Sequence, residues 1–151
     1  MTVAFDSDPA AVEKNYVETV ASRDAHLLPL LVDLTNPSAS VGWAGTERLS
    51  LEQRGPADVV LVLALVHHLA IGNNVPFADI AAWLSRIARH IVIEFVPKAD
   101  SQVERMFLSR PDTFEHYTQP AFENAFRQYF EIEVKEPVPD TQRTLYQMRR
   151  C

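Results

Sequence analysis

The run Asp58–Leu65, DVVLVLAL, limits the possible folds more than any other stretch of the sequence. It is apolar almost throughout and does not alternate, the pattern of a strand buried on both faces in the middle of a parallel sheet. Asn73, Asn74 and Pro76 then introduce a helix in which Phe77, Ile80, Ala81, Leu84, Ile87 and Ala88 keep an i, i+3, i+4, i+7 register. Asp79 in its first turn and Arg86 and Arg89 in its last complement the helix dipole. Ile91–Phe95, IVIEF, reads as a second buried strand. Strand, helix and strand in this order require a crossover, and a crossover makes the two strands parallel.

The same alternation is present upstream. Thr2–Phe5 is a short β-prone run ending in Asp6, and Asp8-Pro9 supplies a helix cap followed by proline at the first helical position. That helix runs to about Ala21, with Val12, Tyr16, Val17 and Val20 expected to pack on the sheet. Leu27–Val32 reads as a strand, and Asp33 opens a long loop containing Asn36-Pro37, Gly42-Trp43 and Gly45. Downstream, Pro97 ends the IVIEF strand and a polar helix follows around Ser101–Leu108. Thr118 caps a helix whose Phe122, Ala125, Phe126 and Tyr129 share a face. Phe130–Lys135 and Arg143–Met148 alternate better than the earlier strands and are joined by Pro137, Pro139 and Asp140, as in an antiparallel pair at a sheet edge.

Composition narrows the function classes. A chain of 151 residues with 47% hydrophobic content suits one domain spanning 1–151. A net charge of -6 and a pI near 5.3 disfavour a surface built to attract nucleic acid. Cys151 is the only cysteine, so no intramolecular disulfide or cysteine-rich zinc site is expected, and the other histidines show no metal-ligand spacing. Neither end reads as a signal peptide, and the longest apolar run, broken by His67 and His68, is too short to span a bilayer. The expectation is a cytoplasmic protein with no membrane partner.

The VAFDSDPAAVEKNY, LLVDLTNP and DVVLVLALVHHLAIGNNVP stretches together resemble the class I S-adenosylmethionine-dependent methyltransferases. The resemblance covers nearly the whole chain. It implies a Rossmann-like, open, mainly parallel α/β sheet with a terminal antiparallel strand pair. It further implies Asp6 as the acidic residue that accepts both ribose hydroxyls of the cofactor, and Asp33 as the residue set against the adenine, with Leu34 covering the ring face. A carboxylate suits the ribose because its two oxygens can take two vicinal hydroxyl donors. Leu65 and the segment to Asn74 would line the cofactor and face the acceptor. DLTNPS, LVHHLAIGNN and IEFVPKADSQVERM narrow the resemblance to a bacterial subgroup described as related to nodulation proteins. This implies a small-molecule or glycoconjugate acceptor.

One departure stands out. The family binds the methionine part of its cofactor with a glycine-rich loop after the first strand, but the four glycines here, at 42, 45, 55 and 72, form no such loop. The first strand of that fold, which lies between the strand ending at Asp6 and the one starting at Asp58, is also missing. The expectation is a fragment lacking an upstream strand, with those two strands pairing directly or a second copy of the chain, in a homodimer, filling the place.

Each candidate has a plainer reading. Asp6 and Asp33 are also ordinary turn residues, and Leu34 can simply pack. His67 or His68 could take a proton from an acceptor hydroxyl or amine, or one could be structural; adjacent residues in an extended segment point to opposite sides, so both should not serve one site. Glu94, inside an apolar strand, should be paired or should reach the site. Trp43 either stacks on a ligand or anchors its own loop. Phe107, Arg110, His116 and Tyr117 fall where the family builds a substrate lid, or form a surface connection. Three functions compete: methyl transfer from S-adenosylmethionine, a catalytically silent α/β interaction module, and a dinucleotide-binding oxidoreductase domain.

Overall fold

The computed structural model describes residues 1–108 and 111–151, which form two compact units, Met1–Leu51 and Glu52–Cys151. In the first, β1 (Thr2–Asp6), α1 (Pro9–Ser22) and β2 (Leu27–Leu31) make a parallel crossover, with Thr2 opposite Leu27 and Asp6 opposite Leu31. Asp8 caps α1 by accepting the Ala10 N–H at 2.9 Å, with Pro9 at the first helical position. The apolar stripe expected to pack does so only in part. Val12 is half-buried, but Tyr16, Val17 and Val20 are each more than half exposed, because a two-stranded sheet gives a helix only a narrow bed. Val3 and Phe5 lie in register with Leu28 and Leu30, and all four remain exposed. Among the described residues, none before Val62 is buried.

The loop after β2 is ordered by its own backbone. Val41 and Arg48 form an antiparallel bridge around a turn in which Gly42, Ala44 and Gly45 all have positive φ. Trp43 does not anchor this loop, since its side chain is 87% exposed. The anchoring is done by Glu47, whose Oε1 accepts the Trp43 N–H at 3.2 Å, and by the Thr46 hydroxyl, which donates to the Trp43 carbonyl at 2.7 Å.

The second unit contains β3 (Ala57–Val62), α2 (Phe77–Ile87), β4 (Ala88–Phe95), α3 (Ser101–Phe107), α4 (Gln119–Phe126), β5 (Phe130–Pro137) and β6 (Thr144–Arg150). Its sheet order is β3-β4-β6-β5, with β3 and β4 parallel and the other ladders antiparallel. Ile80, Ala81, Leu84 and Ile87 of α2 are buried, as their helical register predicts. Phe122 and Phe126 of α4 join Ile91, Ile93 and Phe95 of β4 and Tyr146 and Met148 of β6 in the buried set. Phe122 packs against Phe95, Phe126 and Tyr146, with ring centroids 4.4 to 5.3 Å apart.

Two expectations are corrected here. β3 is an edge strand, and Val59 and Leu61 are 53% and 66% exposed, because burial on both faces needs a neighbouring strand on each side and β3 is laddered to β4 alone. The direct pairing expected between the strand ending at Asp6 and the one beginning near Asp58 is not made. Each of them pairs with the strand it is joined to by a helical crossover, β1 with β2 and β3 with β4.

Candidate functional site

Asp6 and Asp33 stand at the carboxyl ends of β1 and β2. The ladder continues one step past Asp6 opposite Leu31, through a 2.9 Å bond from the Val32 N–H to the Asp6 carbonyl, so Asp33 follows directly on the same rim. Both carboxylates are exposed, and each uses one oxygen locally. Asp6 Oδ1 accepts the Asp8 N–H at 2.9 Å. Asp33 Oδ1 accepts the Thr35 hydroxyl at 2.7 Å and the Thr35 N–H at 2.8 Å, and these bonds hold the Asp33 carboxyl below its usual pKa. Leu34 beside it is half-buried.

In the second unit the exit of β3 is conformationally unusual. Ala64 has a φ of 50° and Asn74 a φ of 57°, both in the left-handed region that non-glycine residues rarely adopt. Between them lie half-buried Leu65 and a π-helical turn, His68–Gly72. Outlying backbone of this kind concentrates at functional sites. The expectation that His67 and His68 point apart fails here, because the chain is already helical at His67 (φ -67°, ψ -32°) and the two ring centroids are 4.2 Å apart. His67 is 1% exposed and His68 is exposed. Burial, reinforced by His68 and Arg143, pushes the His67 pKa down to about 4, so the ring is neutral at pH 7. Its Nδ1 is buried without a hydrogen-bond partner.

Glu94 is paired. Its Oε2 accepts the Ala64 N–H at 2.7 Å, which fixes the left-handed residue, and its Oε1 faces Arg143 Nη1 at 3.4 Å. Arg143 also forks onto Asp100, from Nε at 2.7 Å and from Nη2 at 3.1 Å, holding the Asp100 carboxyl below the usual carboxylate range. Asp100 caps α3 by accepting the Gln102 N–H at 2.9 Å. One guanidinium therefore ties the end of β4, the start of α3 and the entry to β6. Sequence reading missed Asp100 and Arg143. An Asp directly before a helical run signals a cap, but nothing local signals the arginine's partners.

A cleft of about 200 Å³ opens where the π-helical turn runs into α2 and where the chain enters α4. Tyr117, read from sequence as part of a lid or a surface connection, is buried in its wall, with its hydroxyl donating to the Val96 carbonyl at 2.7 Å. His116 is exposed beside it, and Phe107 packs on Phe114 at 6.2 Å. Arg110 lies outside the described residues.

Comparison with known proteins places this architecture. The chain superposes on the PH0226 protein of Pyrococcus horikoshii OT3 with a TM-score of 0.65 and 14% identity, over 100% of this chain and 72% of that one. It superposes on a 16S rRNA (adenine(1408)-N(1))-methyltransferase from Catenulisporales acidiphilia with a TM-score of 0.58 and 15% identity, over 98% and 72%. The chain has the class I methyltransferase fold. No family model matches it. In sequence it is 42% identical over 148 residues to Nodulation protein NoeA of Rhizobium meliloti (strain 1021), which covers 98% of this chain and 31% of that protein. The nodulation-related resemblance therefore holds, and the chain spans about a third of the length of this relative.

Proposed function

We infer that the chain carries the nucleoside end of the donor site, and part of the acceptor site, of an S-adenosylmethionine-dependent methyltransferase acting on a small-molecule or glycoconjugate acceptor. The observation that carries this reading is the shared rim of Asp6 and Asp33 on two parallel strands, where ligands of open α/β sheets bind. Asp6 keeps a second oxygen for the ribose hydroxyls, Asp33 lies within reach of an adenine at the next strand end, and Leu34 offers an apolar face. The residues present fit an adenosine. They supply no glycine-rich cradle for the methionine part, since the four glycines lie elsewhere. This supports the chain being one portion of the enzyme, as does the exposed apolar surface of Val3, Phe5, Leu28 and Leu30.

S-adenosylmethionine, when bound, supplies an electrophilic methyl group on sulfur. The protein's own task is then to align the acceptor and exclude water. Leu65 stands half-buried just past the end of β3. His67, neutral, weakly basic and buried, packs against the His68 ring. His68, exposed beside it, is the imidazole available to take a proton from an acceptor hydroxyl or amine. The net charge of -6 supports a small acceptor over RNA.

Calorimetric titration of S-adenosylhomocysteine and of adenosine tests the donor site. Both should bind, and Asp6→Asn should weaken both by about tenfold or more, the worth of a hydrogen bond to a charged acceptor. Absence of heat from either ligand at millimolar concentration, with the chain folded, would leave the silent interaction module as the better reading; the missing glycine loop is what favours that alternative.

A further inference from the structure

We propose that the cleft between the π-helical turn and the α4 entry is a binding site for an uncharged, apolar group the size of one ring, carrying a polar substituent at its open end. Its floor and walls are Ala70, Val75, Pro76, Phe77, Phe114 and Tyr117. Phe77 and Tyr117 pack at 5.2 Å, and each touches Phe95, so the two rings are backed by the core. The Tyr117 hydroxyl is bonded to the Val96 carbonyl, which fixes the ring as a wall. Ala70, buried on the π-helical turn, is the smallest side chain lining the cleft and leaves the space open.

Size and polarity set the class of guest. A volume of about 200 Å³ exceeds the ~150 Å³ of an engineered apolar cavity that takes benzene. It falls short of the roughly 300 Å³ at which pockets begin to hold drug-sized molecules. Among the described residues, no Asp, Glu, Lys or Arg lines the cleft, so nothing there would compensate the desolvation of a charged guest. Asn74, Thr113 and His116 supply polar groups, and all three are exposed. A hydroxyl or amide on the guest can meet them at the mouth while the ring sits on Phe77 and Tyr117. The left-handed Asn74 and the π-helical turn shape this wall, which gives the unusual backbone of the β3 exit a purpose. That the guest is part of a methyl acceptor rests on the function inferred above; the binding itself does not.

The probe is 4-methylphenol, one uncharged ring with one hydroxyl, titrated into the chain and followed by amide NMR. Saturable shifts should centre on Ala70, Phe77, Phe114 and Tyr117, with a dissociation constant on the order of 1–10 mM for so small a ligand. Ala70→Phe, which fills the cleft from below, should weaken binding at least tenfold. Thr113→Trp, which closes it from the exposed rim, should do the same without altering a buried position. Glucose, polar on all sides, should give no shifts there. Shifts confined to Val3, Phe5, Leu28 and Leu30, no saturation by 4-methylphenol, or full binding by the Thr113→Trp variant would each overturn the proposal. Failure of S-adenosylhomocysteine to bind while 4-methylphenol binds would defeat the donor-site reading and leave this site standing.

Discussion

Replacing Glu94 tests whether a buried carboxylate holds the β3 exit in shape. Glu94→Ala removes the acceptor of the Ala64 N–H, a 2.7 Å bond to a charged oxygen, worth about 1.5–3 kcal/mol when its donor is left without a partner. The contact with Arg143 is longer, at 3.4 Å, and Arg143 keeps its fork onto Asp100, so its loss adds roughly 1 kcal/mol or less. The sum is about 1.5–4 kcal/mol. Glu94→Gln retains an oxygen for the Ala64 N–H and loses only the charge, for a cost near ~1 kcal/mol. Urea unfolding measures both, in a Trp43→Phe background where Trp83 of α2 is the remaining tryptophan and reports on the second unit. The reasoning fails if Glu94→Ala lies within about 0.5 kcal/mol of the parent, the range of an ordinary surface change. It also fails if the glutamine variant is as unstable as the alanine variant, since charge and not the backbone acceptor would then dominate.

Two further outcomes follow from single residues. The His67 pKa is lowered from 6.5 to about 4 on folding, so the unfolded chain binds a proton first as pH falls; the stability contributed by the neutral ring is present above pH 6.5 and lost down to about pH 4. The full loss is about 3 kcal/mol, and His67→Gln should flatten this part of a stability-versus-pH curve; an unchanged slope would show that the ring does not titrate differently on folding. Gly42→Ala should open the loop of the first unit, because the residue has a φ of 91° and a Cβ there would fall 2.3 Å from the Glu47 side chain. Hydrogen exchange at the Val41 and Arg48 amides should rise at least tenfold, and unchanged protection would refute the steric argument.

What the sequence alone determined was local. The helical spacing from Phe77 to Ile87 specified α2, Asp8 and Thr118 specified two helix starts, and alternation in the last third specified the β5 and β6 pair. Asp6 and Asp33 were legible as candidates because a strand end followed by a turn residue is written in consecutive letters. The tertiary structure decided everything that depends on which segment lies beside which. Apolar character in DVVLVLAL records a demand for burial but not whether a neighbour meets it, and β3 proves to be an edge. The two histidine rings meet because the chain turns helical one step earlier than an extended reading allows. Arg143 reaches Glu94 across 49 positions and Asp100 across 43, and the cleft is walled by stretches around residues 70–77 and 113–117. A residue's propensity is set by its near neighbours in the chain, whereas a buried charge or an open cavity is set by the atoms that packing brings against it, and those come from far along the sequence.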